Sequence, residues 1–182
     1  FLWKIAAIKI RHSDTRSLEF AACDACNPPS VRLPSPYLPT PARALMMEST
    51  SFSSLALSPA LLSNLDSLGY HTMTTIQAQS LPLILEQRDL IAQAKTGSGK
   101  TAAFGIGILA KLNPSYFAIQ ALVLCPTCEL ADQVANELRR LARCADNIKV
   151  LTLCGGAPMR PQMASLEHGA HVVVGTPGRI RD

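Results

Sequence analysis

The chain has 182 residues, of which 48% are hydrophobic and 16% charged, so a globular fold with one real core is expected over most of it. No run of 18 apolar residues occurs, so no transmembrane helix and no membrane partner is expected, and six scattered cysteines fit a reducing compartment, the cytoplasm, better than a disulfide scaffold. The net charge of +4 does not by itself identify a nucleic-acid binder: residues 1–47 hold six Lys/Arg against three Asp/Glu, and residues 48–182 hold eleven against ten.

The opening FLWKIAAIKIRH is short, carries Lys4 and Lys9, and lacks a small-residue cleavage site, so it is not read as a signal peptide. Six of the thirteen prolines lie between Pro28 and Pro41, and no amphipathic period runs through this region. The chain begins at Phe1, while Met46-Met47 stand just ahead of the first ordered-looking segment. Residues 1–47 are therefore expected to be a disordered or non-native extension, residues 48–88 a helical region, and residues 89–182 the start of an α/β domain.

From Phe52 onward the signals become regular. Ser58-Pro59 is a helix start, a capping residue followed by proline at the first helical position. Leu61, Leu62, Leu65 and Leu68 make one apolar stripe, and Gly69 ends it. A second helix is predicted over Ile76–Leu85, kinked by Pro82. Asp89–Ala94 is read as a short strand leading into a glycine turn, and Ala102–Leu112 as the helix after it. Ala121–Cys125 and Lys149–Cys154 read as strands, with an amphipathic helix over Leu130–Arg143 between them. A weak helix at Met163–His168 and a strand at His171–Val174 follow. Strands alternating with helices predict a mostly parallel α/β sheet with right-handed crossovers.

Ala94-Lys95-Thr96-Gly97-Ser98-Gly99-Lys100-Thr101 fits a phosphate loop. Glycines let backbone N–H groups turn inward onto phosphate oxygens, and the following helix aims its positive end at the same anion. Lys100 would reach the β- and γ-phosphates, and Thr101 would offer its hydroxyl to Mg²⁺. Such a pattern arises by accident in about one chain in a hundred of this length. A strand before it and a helix after it are the context that separates a site from a chance turn.

Further motifs share the chain with this loop. Phe52 precedes Gly69-Tyr70 by 17 positions, and Thr74-Thr75-Ile76-Gln77 follows. Pro126-Thr127-Cys128-Glu129-Leu130, Gly155-Gly156 and Thr176-Pro177-Gly178-Arg179 come later, in that order. On these residues the chain resembles the DEAD-box RNA helicases, from the Q motif through motif I and the next three motifs, over about residues 52–182. The resemblance implies a RecA-like domain, read here as residues 89–182, that uses ATP and Mg²⁺, binds RNA, works as a monomer and separates short RNA duplexes. The runs CPT-ELADQV, ELRRLAR and LTLCGG lie closest to one bacterial group of the family, which implies ribosomal RNA and large-subunit assembly.

The same resemblance assigns roles. Phe52 would stack on the adenine and Gln77, with an amide that both donates and accepts, would read its edge, selecting ATP over GTP. Ala94 to Thr101 would hold the phosphates, with Lys100 and Thr101 as catalytic groups. Pro126, Thr127, Gly155, Gly156, Thr176, Gly178 and Arg179 would line one RNA strand, the glycines by close backbone approach and Arg179 by charge.

Departures qualify the match. Met73-Thr74-Thr75 replaces the usual Pro-Thr-Pro, though Thr74 can still cap the helix. Asp182 comes before any Asp-Glu-Ala-Asp, so the chain alone is expected to bind ATP weakly and hydrolyse almost none. Cys128 stands where the family has arginine, which removes a phosphate hook. The competing readings are a non-catalytic nucleotide- or RNA-binding fragment, another phosphate-loop NTPase, and, more remotely, a zinc or redox module built on Cys23/Cys26 and Cys125/Cys128. Ninety-eight positions separate those two pairs, against about 20 in structural zinc sites. A GTPase is disfavoured because no Asn-Lys-x-Asp guanine reader follows the loop. The four histidines, at 12, 71, 168 and 171, show no ligand spacing and are read as surface or loop residues.

Overall fold

A computed structural model describes residues 8–10, 51–144 and 147–182, with residues 8–10 as backbone only. The Cys23/Cys26 pair, His12 and the greater part of the expected 1–47 extension lie outside the described residues.

Phe52–Ser54 forms a 3-10 turn, and α1 spans Pro59–Ser67. Ser58 caps α1, its Oγ accepting from the Leu61 N–H at 3.3 Å, and Pro59 opens the helix as its fixed φ allows. Leu61 and Leu65 of the stripe are buried, and Leu62 and Leu68 are half-buried. Helix α2 spans Thr75–Leu85 and contains Pro82, and α3 spans Lys100–Leu109. Strand β2 (Ala121–Leu124), α4 (Cys128–Leu141), β3 (Val150–Leu153), α5 (Met159–Glu167), β4 (Val172–Gly175) and α6 (Pro177–Arg181) complete the order.

The sheet order is β1-β2-β4-β3, where β1 is Ile8–Ile10. Strands β2, β4 and β3 are parallel, with Ala121 opposite Val172 and Val172 opposite Val150. β1 adds to β2 antiparallel, with Ile8 opposite Val123. The central strand β4 is buried at every position, as a strand covered on both faces must be. This is the expected α/β architecture.

Two apolar clusters hold it together. The first joins Phe104 and Ile108 of α3 and Leu130, Val134 and Leu138 of α4 to Val123, Val150, Val172 and Val174 of the sheet. The second joins Phe52, Leu57, Leu61, Leu65, Met73 and Leu81 to Ala103, Ile106 and Leu141, so the N-terminal helices dock on the back of α3 and α4. Complete burial of a leucine or isoleucine side chain is worth roughly 1.5–3 kcal/mol, which makes these clusters the main source of stability.

Four expectations are corrected. Asp89–Ala94 precedes the glycine turn but forms no strand, because no strand among the described residues lies beside it to supply ladder hydrogen bonds; Ile91 is 60% exposed. Leu109 ends α3 three residues early. Helix α5 starts four residues early, at Met159. His171 does sit in a loop, the bend before β4, but not at the surface: it is fully buried. Its Nδ1 accepts from the Lys149 N–H at 3.1 Å, its Nε2 donates to the Pro114 carbonyl at 3.1 Å, and its ring lies 4.6 Å from that of Phe117. Those partners set the neutral tautomer with the proton on Nε2.

Candidate nucleotide and nucleic-acid site

The loop before α3 has the shape an anion needs. Gly97 and Gly99 take φ of +78° and +89°, in the left-handed region. Gly99 is the N-cap of α3, so the free N–H groups and positive end of that helix begin at the loop. Glycine is required at 99 for a second reason: a Cβ there would lie 2.5 Å from Nε2 of Gln77.

Lys100 folds over this loop. Its ammonium donates to the carbonyls of Ala94 and Lys95, the latter at 2.6 Å, and lies 3.5 Å from Ser98 Oγ. Burial holds its pKa below 10.5. A charge held only by neutral oxygens gains directly from an anionic partner. Thr101 follows in the first turn of α3, half-buried, while Lys95 and Thr96 are exposed at the rim.

Helix α2 braces the loop from one side. Thr74 Oγ1 donates to the Ser98 carbonyl at 2.8 Å. Gln77 is 1% exposed, with Oε1 accepting from the Thr74 N–H at 2.9 Å and Nε2 donating to the Gly99 carbonyl at 3.2 Å. Both ends of the amide expected to read adenine are engaged within the protein. Phe52 is 3% exposed, edge-on to Tyr70 at 6.4 Å, and belongs to the second apolar cluster. Tyr70 donates to Glu137 Oε1 at 2.7 Å; burial, then that carboxylate, pushes its hydroxyl to about 12.

The other predicted residues gather elsewhere, past the carboxyl ends of three neighbouring parallel strands, the usual ligand side of an open α/β sheet. After β2, Pro126 and Thr127 are exposed, and Thr127 Oγ1 caps α4 by accepting from the Leu130 N–H at 3.3 Å. After β3, Gly155 and Gly156 are exposed, Gly156 with φ +83°. After β4, Thr176 is the N-cap of α6, and Gly178 is exposed.

These three turns are tied to one another. Cys128 Sγ donates to the Gly155 carbonyl at 3.6 Å, and Gln162 Nε2 donates to the Cys154 carbonyl at 3.1 Å. Arg179 Nη1 donates to the Ala157 carbonyl and to Gln162 Oε1, both at 3.0 Å, and its Nε lies 3.6 Å from Asp182 Oδ2. The Arg179 side chain is 13% exposed, so it braces the glycine turn more than it faces outward. Sequence reading missed Gln162, since a lone glutamine on a weakly patterned helix gives no local signal.

The C-x-x-C pair divides. Cys125 is 1% exposed in the first apolar cluster, where burial pushes its thiol up to about 11. Among the described residues no group of three or more His, Cys, Asp or Glu is placed to hold a metal ion, and no helix is long and apolar enough to cross a membrane.

Comparison with known proteins gives the context. A family model described as DEAD/DEAH box helicase matches residues 74–182. The chain is 61% identical over 134 residues to the ATP-dependent RNA helicase DbpA of Escherichia coli (strain K12), covering 73% of this chain and 29% of that protein. The crystal structure of a DEAD box protein from the hyperthermophile Methanococcus jannaschii superposes with a TM-score of 0.68 at 41% identity, over 72% of this chain and 36% of that one. S. cerevisiae Dbp5 bound to RNA and ADP BeF3 superposes at 0.63 with 31% identity, over 72% and 33%. The chain thus spans under a third of the length of DbpA and about a third of the two solved chains.

Proposed function

The chain belongs to the DEAD/DEAH box helicase family, and from that premise we propose that it is the ATP-binding part of an ATP-dependent RNA helicase. The whole protein would couple ATP hydrolysis to unwinding or remodelling of short RNA duplexes. The observation that carries this reading is the loop at residues 94–101, where two left-handed glycines, a helix N-terminus and the ammonium of Lys100 converge on one turn.

In this reading Ala94 to Thr101 would hold the phosphates of ATP. Lys100 would exchange its carbonyl partners for β- and γ-phosphate oxygens, and the Thr101 hydroxyl would be the group that holds Mg²⁺. ATP brings the phosphoryl bond whose cleavage drives remodelling, and Mg²⁺ neutralises charge on its oxygens. Gln77 sits beside this loop, so it can trade its Gly99 contact for the adenine edge; Phe52 would have to turn a ring face outward to stack. RNA would run past the strand ends, on Pro126, Thr127, Gly155, Gly156, Thr176 and Gly178, with Arg179 adding charge from behind. We further propose ribosomal RNA of the large subunit as target, a cytoplasmic location and a monomeric state. On its own, this 182-residue chain is proposed to be nearly inactive in hydrolysis.

The test has two arms. Titration with fluorescent ATP and GTP analogues in Mg²⁺ should show ATP preferred, and loss of binding in Lys100→Ala. Steady-state phosphate release should stay at background with single-stranded RNA added. Equal binding by the Lys100→Ala chain would overturn the nucleotide reading, and RNA-stimulated turnover would overturn the inactivity.

A further inference from the structure

The turns after β2 and β3 bring two thiols together. Cys128 lies at the first residue of α4, with Sγ on the Gly155 carbonyl at 3.6 Å. Cys154 directly follows β3, with Sγ 3.9 Å from the Cys128 carbonyl. Each sulfur thus touches the backbone of the other's segment, Cys128 Sγ on the Gly155 carbonyl and Cys154 Sγ on the carbonyl of Cys128 itself. Both side chains are half-buried and both cysteines are free. Twenty-six positions separate them in sequence, so no C-x-x-C pattern announces the pair.

We propose that Cys128 and Cys154 are a redox-modification site: a dithiol that a small disulfide oxidant converts to an intramolecular disulfide, locking the glycine turn to the N-terminus of α4. The Cys128 thiolate attacks the oxidant, forming a mixed disulfide and releasing one thiol. The Cys154 thiolate then attacks Sγ of Cys128, forming the Cys128–Cys154 bond and releasing the second thiol. Two electrons and two protons pass from the dithiol to the oxidant, so the step balances.

The surroundings decide the order. The Cys154 thiol is held up at about 12, first by burial, then by the neighbouring Cys128 and the negative potential of Asp132 and Cys125. A thiol kept neutral is a poor first nucleophile toward a dissolved oxidant and attacks only once its partner sulfur is held beside it. Cys125 is excluded as the partner by its place in the core, 1% exposed and with its own thiol raised by burial.

The bond would act on the turn that the proposed function gives to RNA. Moving Cys128 Sγ onto Cys154 ends its contact with the Gly155 carbonyl, while Gln162 and Arg179 still hold the Cys154 and Ala157 carbonyls. The turn then carries one more tether. Formation of the disulfide does not depend on the helicase reading; its effect on RNA does.

The experiment treats the 182-residue chain with oxidised glutathione, blocks remaining thiols and maps peptides by mass spectrometry. A linked peptide pair containing Cys128 and Cys154, lighter by two hydrogens and restored by dithiothreitol, is the expected result. It should vanish in Cys128→Ser and in Cys154→Ser and persist in Cys144→Ser. A link between Cys125 and Cys128, or only a stable glutathione adduct on Cys128, would overturn the proposal. A parallel titration with single-stranded RNA separates the two ideas. A disulfide that forms without changing RNA affinity removes the coupling to RNA and leaves the redox site standing.

Discussion

Nε2 of Gln77 donates to the carbonyl of Gly99 across 3.2 Å, and this one bond joins the first turn of α2 to the cap of α3. The companion bond, from the Thr74 N–H to Gln77 Oε1, sets the amide orientation, because only the oxygen can accept there. Replacing Gln77 by Glu keeps the acceptor and turns an oxygen toward a carbonyl. At a site 1% exposed this should cost about 1–3 kcal/mol in urea denaturation, besides weakening ATP binding. If Gln77 served only the nucleotide, Gln77→Glu would leave the free chain as stable as before.

Gly99→Ala meets two obstacles at once. The backbone holds φ +89°, and the new Cβ would lie 2.5 Å from Gln77 Nε2. The strain of a non-glycine residue there is about 1–3 kcal/mol. We expect a lower urea midpoint and lost affinity for the fluorescent ATP analogue. A Gly99→Ala chain that binds ATP normally would show that the loop reaches its phosphate-binding form by another backbone path.

Burial lowers the Lys100 pKa below 10.5, so the group loses its proton earlier than a free lysine as pH rises. The sign for stability follows: below the folded pKa folding must desolvate the ammonium, and that cost is relieved as pH climbs toward 10.5. For phosphate binding the sign is opposite, since the neutral amine loses its attraction. ATP affinity should therefore fall with pH before the ordinary lysine range is reached, with proton uptake on binding there. Titrations across alkaline pH, repeated with Lys100→Arg, check it; an arginine stays charged and should flatten the profile.

His171 is buried between the Lys149 N–H and the Pro114 carbonyl. His171→Leu fits the space with no polar atom and leaves both backbone groups unpaired. The expected loss is about 2–5 kcal/mol in urea denaturation. A loss below roughly 0.5 kcal/mol, the size of an ordinary surface change, would contradict the buried-bridge role.

That histidine also marks where sequence reading stops. The strands β2, β3 and β4 and the face of α4 were legible because apolar spacing reports burial directly. The phosphate loop was legible because its glycines and lysine are set by local geometry. His171 was not, since its partners lie 22 and 57 positions away and carry no sequence mark. Asp89–Ala94 has a strand's composition, but a strand exists only with a neighbour, and pairing is not written in a single segment. Gln77 and Arg179 fall between these cases. Their motifs pointed to a site, yet the bonds to Gly99 and Ala157 depend on how separate elements meet.

Cys128 stands where the resemblance implies an arginine, and its sulfur makes a weak contact to the Gly155 carbonyl. Cys128→Arg should tighten single-stranded RNA binding. A charged hydrogen bond of about 1.5–3 kcal/mol sets the scale, roughly tenfold or more. The log-salt slope should steepen by about 0.7 for one added phosphate contact on a single strand. Unchanged affinity and slope would mean that RNA does not pass this residue.

Arg179 gives the sharpest separation of bracing from binding. Its Nη1 spans the Ala157 carbonyl and Gln162 Oε1, both at 3.0 Å, and ties α6 to the glycine turn and α5. Removing a charged donor from two such bonds costs roughly 1.5–3 kcal/mol each. If bracing is its work, Arg179→Ala should speed amide hydrogen exchange around residues 155–158 by about tenfold or more without RNA present. Arg179→Lys should restore charge but not the fork, and so should recover the salt slope of RNA binding without recovering the protection. If Arg179 acts only on the RNA phosphate, exchange in the free chain stays unchanged in both variants while the salt slope drops in Arg179→Ala alone.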